Sequence, residues 1–167
     1  VSTVMSNYGF KQAIEKFNFD LIETPVGDKY VAEAMKKYDA ALGGEQSGHI
    51  IISDQLPVGD GLVTLIYVLK AMQHFGVALS DFKRENLYEY PQKLTNLELE
   101  NKLNDEELEY INQIALDMSI KKDLDGRYLI RNSGTEPLLR VLVEAKSNEA
   151  MEEFSNELIT KINKYLN

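Results

Sequence analysis

The 167 residues predict an α/β chain: a mixed α/β sheet domain followed by a small α+β domain with two helices on an antiparallel sheet. Three observations lead there. Short β-type runs alternate with helical stripes through the first half. Residues 84–96, with Tyr88, Tyr90 and Pro91, carry no helical stripe and read as a link. Two long amphipathic segments then enclose a pair of strands. The expected domains are 1–83 and 87–167.

In order, Val1–Met5 reads as a strand, and Asn7 is placed to cap a helix with Phe10, Ala13, Ile14 and Phe17 on one face. Asp20–Glu23 reads as a strand, and Asp28 as the cap of a helix bearing Val31, Ala34, Met35 and Tyr38. Ala40–Leu42 and His49–Ser53 flank a glycine-rich turn. Asp60 opens a helix striped with Leu62, Leu65, Ile66, Leu69 and Met72. Past the link, a strand is expected near Leu94–Leu99. Helices follow over Asp105–Ile120 and Asn148–Leu166, with strands Arg127–Arg131 and Leu138–Ala145 between them.

Composition narrows the function. The net charge is −9, split as −3 over residues 1–86 (11 acids, 8 bases) and −6 over residues 87–167 (16 acids, 10 bases). An acidic chain with no basic stripe is a poor partner for nucleic acid or an anionic membrane. With no cysteine and two histidines, His49 and His74, disulfides and conventional zinc sites are excluded. No apolar run is long enough for a membrane span and the opening residues have no signal-peptide pattern, so a cytoplasmic location is expected.

Two loops carry chemistry. The first runs Arg131-Asn132-Ser133-Gly134-Thr135-Glu136-Pro137-Leu138-Leu139-Arg140. Three of the four arginines, Arg127, Arg131 and Arg140, fall in this region, although lysines number fourteen. Guanidinium forks grip phosphate through two hydrogen bonds. Ser133 and Thr135 add donors, Gly134 admits a close approach, and successive N–H groups in such a turn make an anion-binding hollow. Glu136 is placed to hold an arginine. The competing reading is a polar hairpin turn that arginines happen to flank. The second loop is Gly43-Gly44-Glu45-Gln46-Ser47-Gly48-His49. Glu45 and Ser47 alternate and so share a side, which suits a polyhydroxylated ligand. Here the competing reading is a glycine-rich hairpin with solvated polar groups. The spacing is not that of a nucleotide loop.

The order Ser-Gly-Thr-Glu-Pro with Arg140 downstream resembles the phosphate-binding loop of the α-D-phosphohexomutase superfamily. The Gly43–His49 run resembles its sugar-recognising loop. Gln46, between the glutamate and the serine, together with the opening Val1–Asn7, is similar to the phosphoglucosamine mutase branch. The resemblance implies that Arg131, Ser133, Gly134, Thr135 and Arg140 bind phosphate. It implies that Glu45 and Ser47 bind the sugar, joined by Lys29 from the similar run Thr24–Tyr30, and that His49 lies near the reacting centre. Gly59-Asp60-Gly61 also matches, with Asp60 read first as a helix cap. His74 is read as structural.

What the resemblance implies for the whole enzyme reaches beyond these residues. Superfamily members have four domains. A catalytic serine lies on the first and an Asp-x-Asp-x-Asp magnesium loop on the second, and neither motif occurs here. The chain thus resembles most of the third domain and the fourth, so alone it is expected to be inactive, with no metal site. Its partners would be a sugar phosphate and the missing N-terminal domains, with homodimerisation of the longer protein a further expectation. That protein would use Mg2+ and pass through glucosamine 1,6-bisphosphate, interconverting glucosamine 6-phosphate and glucosamine 1-phosphate for cell-wall amino sugars. The alternatives are a phosphomannomutase or phosphoglucomutase portion, or a sugar-phosphate-binding module without chemistry.

Overall fold

The computed structural model describes residues 1–55 and 58–166; Leu56, Pro57 and Asn167, which fall inside the expected domain ranges, lie outside the described residues. The chain divides into two units, Val1–Glu89 and Tyr90–Asn167.

In the first unit the order is β1 (Ser2–Thr3), α1 (Tyr8–Lys16), β2 (Glu23–Thr24), α2 (Asp28–Tyr38), β3 (Leu42–Gly44), β4 (Ile50–Ile52), α3 (Gly61–Phe75) and α4 (Leu79–Asn86). The sheet runs β2-β1-β3-β4, with β1 parallel to β2 and β3, and β4 antiparallel to β3. β1, β2 and β4 are shorter than their β-type runs, and β3 is shifted from the expected Ala40–Leu42 to Leu42–Gly44, because Gly43 and Gly44 of the glycine-rich run pair with Ile51 and Ile50. The chain turns straight after Thr3, where the Ser6 N–H donates to the Thr3 carbonyl at 3.0 Å, so β1 offers two residues to its neighbours. Asn7 caps α1 by accepting from the Gly9 N–H at 3.0 Å. Asp60 caps α3, its Oδ1 accepting from the Leu62 and Val63 N–H groups at 2.9 Å each.

Three expectations need correction. Asp28 does not cap α2. It is the first helical residue, behind Gly27, and its carboxylate accepts from the N–H of Lys29. The link is shorter than residues 84–96, because Leu79–Asn86 is helical. Its stripe is only Leu79 and Phe82, too short to show as periodicity. An Asp81–Arg84 ion pair at 2.9 Å and a stacked Phe17–Phe82 contact at 6.1 Å hold the helix. The α3 stripe is not buried: no residue of α3 is, and Leu62, Leu65 and Leu69 are exposed. Fifteen helical residues span roughly 22 Å, while the three residues of β4 span roughly 10 Å, so the strand cannot cover the helix. The small core here is Val31, Met35 and Ile51.

In the second unit, β5 (Gln92–Glu98), α5 (Asp105–Lys121), β6 (Gly126–Asn132), β7 (Leu138–Ala145) and α6 (Asn148–Leu166) form an antiparallel sheet of order β5-β7-β6 packed on two helices. Leu139, Val141, Val143 and Ala145 alternate along β7 and join Tyr128 and Ile130 of β6, Ile111, Ala115 and Met118 of α5, and Phe154, Leu158 and Ile162 of α6. Asn104 and Glu107 close a reciprocal capping box at the start of α5. The other face of the sheet carries Arg127 and Arg131 of β6 and Arg140 and Glu144 of β7. Helix packing against one face therefore fixes the arginines on the opposite one.

Among the described residues no single helix is long and apolar enough to cross a membrane; α3 and α4 pass jointly on length and composition but are bent by 77°.

Leu158→Ala, at a fully buried position, is expected to cost about 2–5 kcal/mol in urea unfolding followed by far-UV circular dichroism. Leu62→Ala, at a position 75% exposed, should change stability by no more than about 0.5 kcal/mol. Similar costs at both positions would contradict this placement of the core.

Candidate functional site

The β6–β7 register sets Arg131 directly opposite Arg140. Like charges so placed repel. Burial, and then the Arg140 charge, push the Arg131 guanidinium below its ordinary range. A guanidinium keeps its proton at any pH the fold tolerates. The shift therefore expresses the cost of holding two partly buried cations together, a cost that an anion between them would relieve. Glu136 compensates only in part: its carboxylate lies 3.8 Å from Arg140 Nη2 and is mostly solvated.

Ser133 closes the hairpin by donating its N–H to the Leu138 carbonyl at 2.8 Å. Beyond it, the N–H groups of Gly134, Thr135 and Glu136 donate to nothing among the described residues. All three residues are exposed. Gly134 has no left-handed backbone angle, and a Cβ built on it would meet open space. The chain's own packing therefore does not require glycine there, and the missing Cβ leaves its backbone open to approach from outside. Two further donors are buried without a hydrogen-bond partner, Ser133 Oγ and Arg140 Nε. Such groups are costly to leave unpaired. Ser133 is 1% exposed, so its hydroxyl meets a ligand oxygen only if the loop shifts. Arg127 does something different: its Nε donates to Glu144, which is fully buried. That pair is structural, at the far end of the strands from the loop.

In the first unit, β3 and β4 present the second loop as a hairpin. The Glu45 N–H donates to the His49 carbonyl and the Gly48 N–H to the Glu45 carbonyl, each at 3.0 Å, and Gly48 takes a φ of 95° that favours glycine. This turn brings three side chains together. Ser47 Oγ lies 2.7 Å from Glu45 Oε1 and 2.9 Å from His49 Nδ1, and Nδ1 lies 3.3 Å from the same carboxylate oxygen. A carboxylate only accepts, so the serine proton goes to Glu45 and the histidine contributes an Nδ1–H, which turns Nε2 outward. A cavity of about 390 Å³ opens beside the ring, lined by Gly48, His49, Gly59, Asp60 and Thr64 among others. Lys29 stands apart. It is exposed on the first turn of α2, 3.8 Å from Glu33, and no described hydrogen bond or ion pair joins it to Glu45, Ser47 or His49. His74 packs its ring against the edge of Phe75.

Sequence reasoning missed two groups around the loop. Asn132 holds Leu103 by both backbone groups, and Lys102 Nζ donates to the Gly134 carbonyl at 2.6 Å. Asn132 stands inside the motif, but nothing in the pattern gives it a role. Lys102 lies thirty residues upstream in an unremarkable polar stretch. As for magnesium, no group of three or more His, Cys, Asp or Glu side chains among the described residues is disposed to hold a metal ion. The residues present do not fit it.

The chain belongs to the phosphoglucomutase/phosphomannomutase family: residues 1–90 match the family model for its alpha/beta/alpha domain III and residues 94–161 that for its C-terminal domain. It is 43% identical over 159 residues to the phosphoglucosamine mutase of Bacillus subtilis (strain 168), covering 95% of this chain and 35% of the relative. It is 47% identical over 154 residues to that of Streptococcus agalactiae serotype Ia, covering 91% and 34%. The chain thus spans about a third of the length of these curated relatives. Among solved structures it is similar to the N-acetylphosphoglucosamine mutase of Aspergillus fumigatus, with a TM-score of 0.82, 19% identity, and coverage of 99% of this chain and 38% of that one. A second structure of that enzyme, in complex with GlcNAc-6P and magnesium, superposes with a TM-score of 0.79 at 18% identity, again covering 99% and 38%.

Arg127→Met is expected to lower the stability of the second unit by about 3 kcal/mol in urea unfolding, by stripping Glu144 of its guanidinium partner. The same variant, while folded, should respond to added phosphate as the unaltered chain does. Loss of that response would move Arg127 into the anion site.

Proposed function

We propose that the chain is the sugar-recognising and phosphate-gripping part of a phosphoglucosamine mutase, a longer protein that interconverts glucosamine 6-phosphate and glucosamine 1-phosphate. The observation that carries this reading is the Arg131–Arg140 pair, two cations facing each other beside three unengaged N–H groups and two unpaired buried donors. The names of the relatives at 43–47% identity support the choice of sugar.

In the reaction, a phosphoserine elsewhere in the longer protein gives its phosphoryl group to the free hydroxyl of the sugar monophosphate. The hydroxyl proton ends on the serine, and glucosamine 1,6-bisphosphate is formed. After the sugar turns over, its other phosphate passes back to the serine. Throughout, the non-reacting phosphate must be gripped. Arg131 and Arg140, with the N–H groups of Gly134, Thr135 and Glu136 and the hydroxyl of Thr135, supply forks and dipoles for that grip, and the buried Ser133 hydroxyl joins them if the loop shifts. Glu45 accepts from sugar hydroxyls or the amine, Ser47 relays between Glu45 and His49, and Lys29 adds a positive charge to the approaching sugar phosphate. Magnesium would be held by the Asp-x-Asp-x-Asp loop of the second domain of the longer protein and would offset phosphoryl charge. The domain roles are sugar recognition for 1–83 and phosphate binding for 87–167. A cytoplasmic location and a homodimer complete the reading.

The test is activity of the full-length protein on glucosamine 6-phosphate. Turnover of glucose or mannose phosphates in its place would move the assignment to the sibling mutases. No turnover of any of them would leave a binding module. In the active protein, Arg140→Ala should lower kcat/KM by about a hundredfold, the loss of one charge-assisted bidentate contact. An unchanged kcat/KM would remove Arg140 from the site.

A further inference from the structure

We infer that Lys102 is a positioning residue for the phosphate loop: it sets the peptide plane that presents the Thr135 N–H, and so helps to build the anion receptor before any anion arrives. This rests on the proposed phosphate-binding reading and adds to it a residue outside the motif.

The loop makes few contacts of its own. Between Ser133 and Leu138 its internal backbone bonds are Ser133 N–H to Leu138 O and Leu138 N–H to Glu136 O. Apart from the long Glu136–Arg140 ion pair at 3.8 Å, the other described hydrogen bonds that hold it come from the segment joining β5 to α5. The Leu99 N–H donates to the Pro137 carbonyl at 2.9 Å. The Asn132 amide takes both backbone groups of Leu103, donating to its carbonyl at 2.8 Å and accepting from its N–H at 3.3 Å. The Lys102 ammonium donates to the Gly134 carbonyl at 2.6 Å. Asn132 and Leu99 thus fix the two ends of the turn, and Lys102 fixes its middle.

The middle matters because a trans peptide is planar, with its C=O and N–H pointing to opposite sides. Drawing the Gly134 carbonyl toward Lys102 turns the Thr135 N–H away from Lys102, onto the side where it has no partner among the described residues. Gly134, the most permissive residue of the loop, would otherwise let this peptide rotate. A charged donor on the carbonyl also polarises the peptide and strengthens the outward N–H as a donor. A receptor whose donors are already aimed does not have to order them on binding. Lys102 therefore acts through the peptide, not by touching the ligand.

The probe is inorganic phosphate, titrated into the 167-residue chain and followed by amide NMR, with Arg140→Ala as the control for the site. Lys102→Met should weaken phosphate about fivefold, the equivalent of one ordinary hydrogen bond. It should also shift the Thr135 amide in the absence of phosphate. Lys102→Arg, which keeps a charged donor, should restore both. The ratio between Lys102→Met and the unaltered chain should persist in about 1 M salt, where the Debye length is about 3 Å and a purely Coulombic contribution is screened. The inference is overturned if Lys102→Met binds phosphate normally while Arg140→Ala does not, an outcome that leaves the phosphate site intact. It is equally overturned if Lys102→Met only lowers the melting temperature, if Lys102→Arg fails to restore binding, or if the ratio vanishes in salt. If the unaltered chain does not respond to phosphate at all, the phosphate-site reading falls and this inference falls with it.

Discussion

Two guanidinium groups on neighbouring strands, opposite one another, are a repulsive arrangement that a sheet adopts only when something stronger fixes the register. In this chain the other face of the same strands does so. Leu139, Val141, Val143 and Ala145 point into the core beneath α5 and α6. A slip of one residue would turn all of them outward and bring Leu138, Arg140, Leu142 and Glu144 in. That penalty far exceeds the repulsion between two partly buried arginines. The hydrophobic core thus enforces a polar geometry it does not touch, and Arg131 and Arg140 sit opposed whether or not an anion is bound. The Arg127–Glu144 pair, four residues further along each strand, shows the alternative: there the facing partners have opposite charge and satisfy each other.

The first unit solves a different problem with less core. Among the described residues its buried apolar cluster is Val31, Met35 and Ile51, and its sheet is built from strands of two and three residues. The order that matters for recognition is nevertheless local. The hairpin between β3 and β4 is closed by its own backbone bonds, and Glu45, Ser47 and His49 hold one another through shared hydrogen bonds. A hairpin that is internally bonded in this way needs little from the surrounding packing to keep its side chains in register.

How far the sequence disclosed this depends on the physical origin of each element. The long helices Asp105–Lys121 and Asn148–Leu166 and the strand Leu138–Ala145 were legible because their burial is one-sided and repeats over many residues. Helix α4 was not, because it meets the rest of its unit through Phe82 and little else, and a two-residue stripe has no period to detect. The α3 stripe was legible as a helix, but its burial was not, since that depends on how much strand lies beside it. Of the site, the convergence of Arg131 and Arg140 could be read from a hairpin joining two strands, whereas Glu45 and Ser47 meet through the turn closed by the Gly48 N–H on the Glu45 carbonyl and not through the alternation of an extended run. The place of His49 in the same ring follows from a turn that returns the chain four residues later. The burial of Ser133 and the bond from Lys102 to Gly134 are tertiary facts with no periodic trace.

The net charge of −9 gives the phosphate reading its sharpest physical constraint. An anion approaching an acidic chain is not steered by the long-range field, so affinity has to come from short-range groups held in fixed directions. Forks and backbone N–H groups meet that requirement where a cluster of mobile lysines would not, and the concentration of arginine at residues 127–140 in a chain otherwise rich in lysine accords with it. Such a receptor reads the phosphate oxygens and is indifferent to the carbon that carries them. Under the proposed mutase chemistry that indifference is useful, because either end of the sugar must be held in turn. The choice of sugar then has to be made by a second set of groups that sense hydroxyls and the amine, not phosphate. The Glu45–Ser47–His49 ring has that chemistry: a carboxylate acceptor, a hydroxyl that donates and accepts, and an imidazole nitrogen turned outward. Under that proposal the two tasks fall on separate loops in separate units, and each is built from the groups its own ligand atoms require.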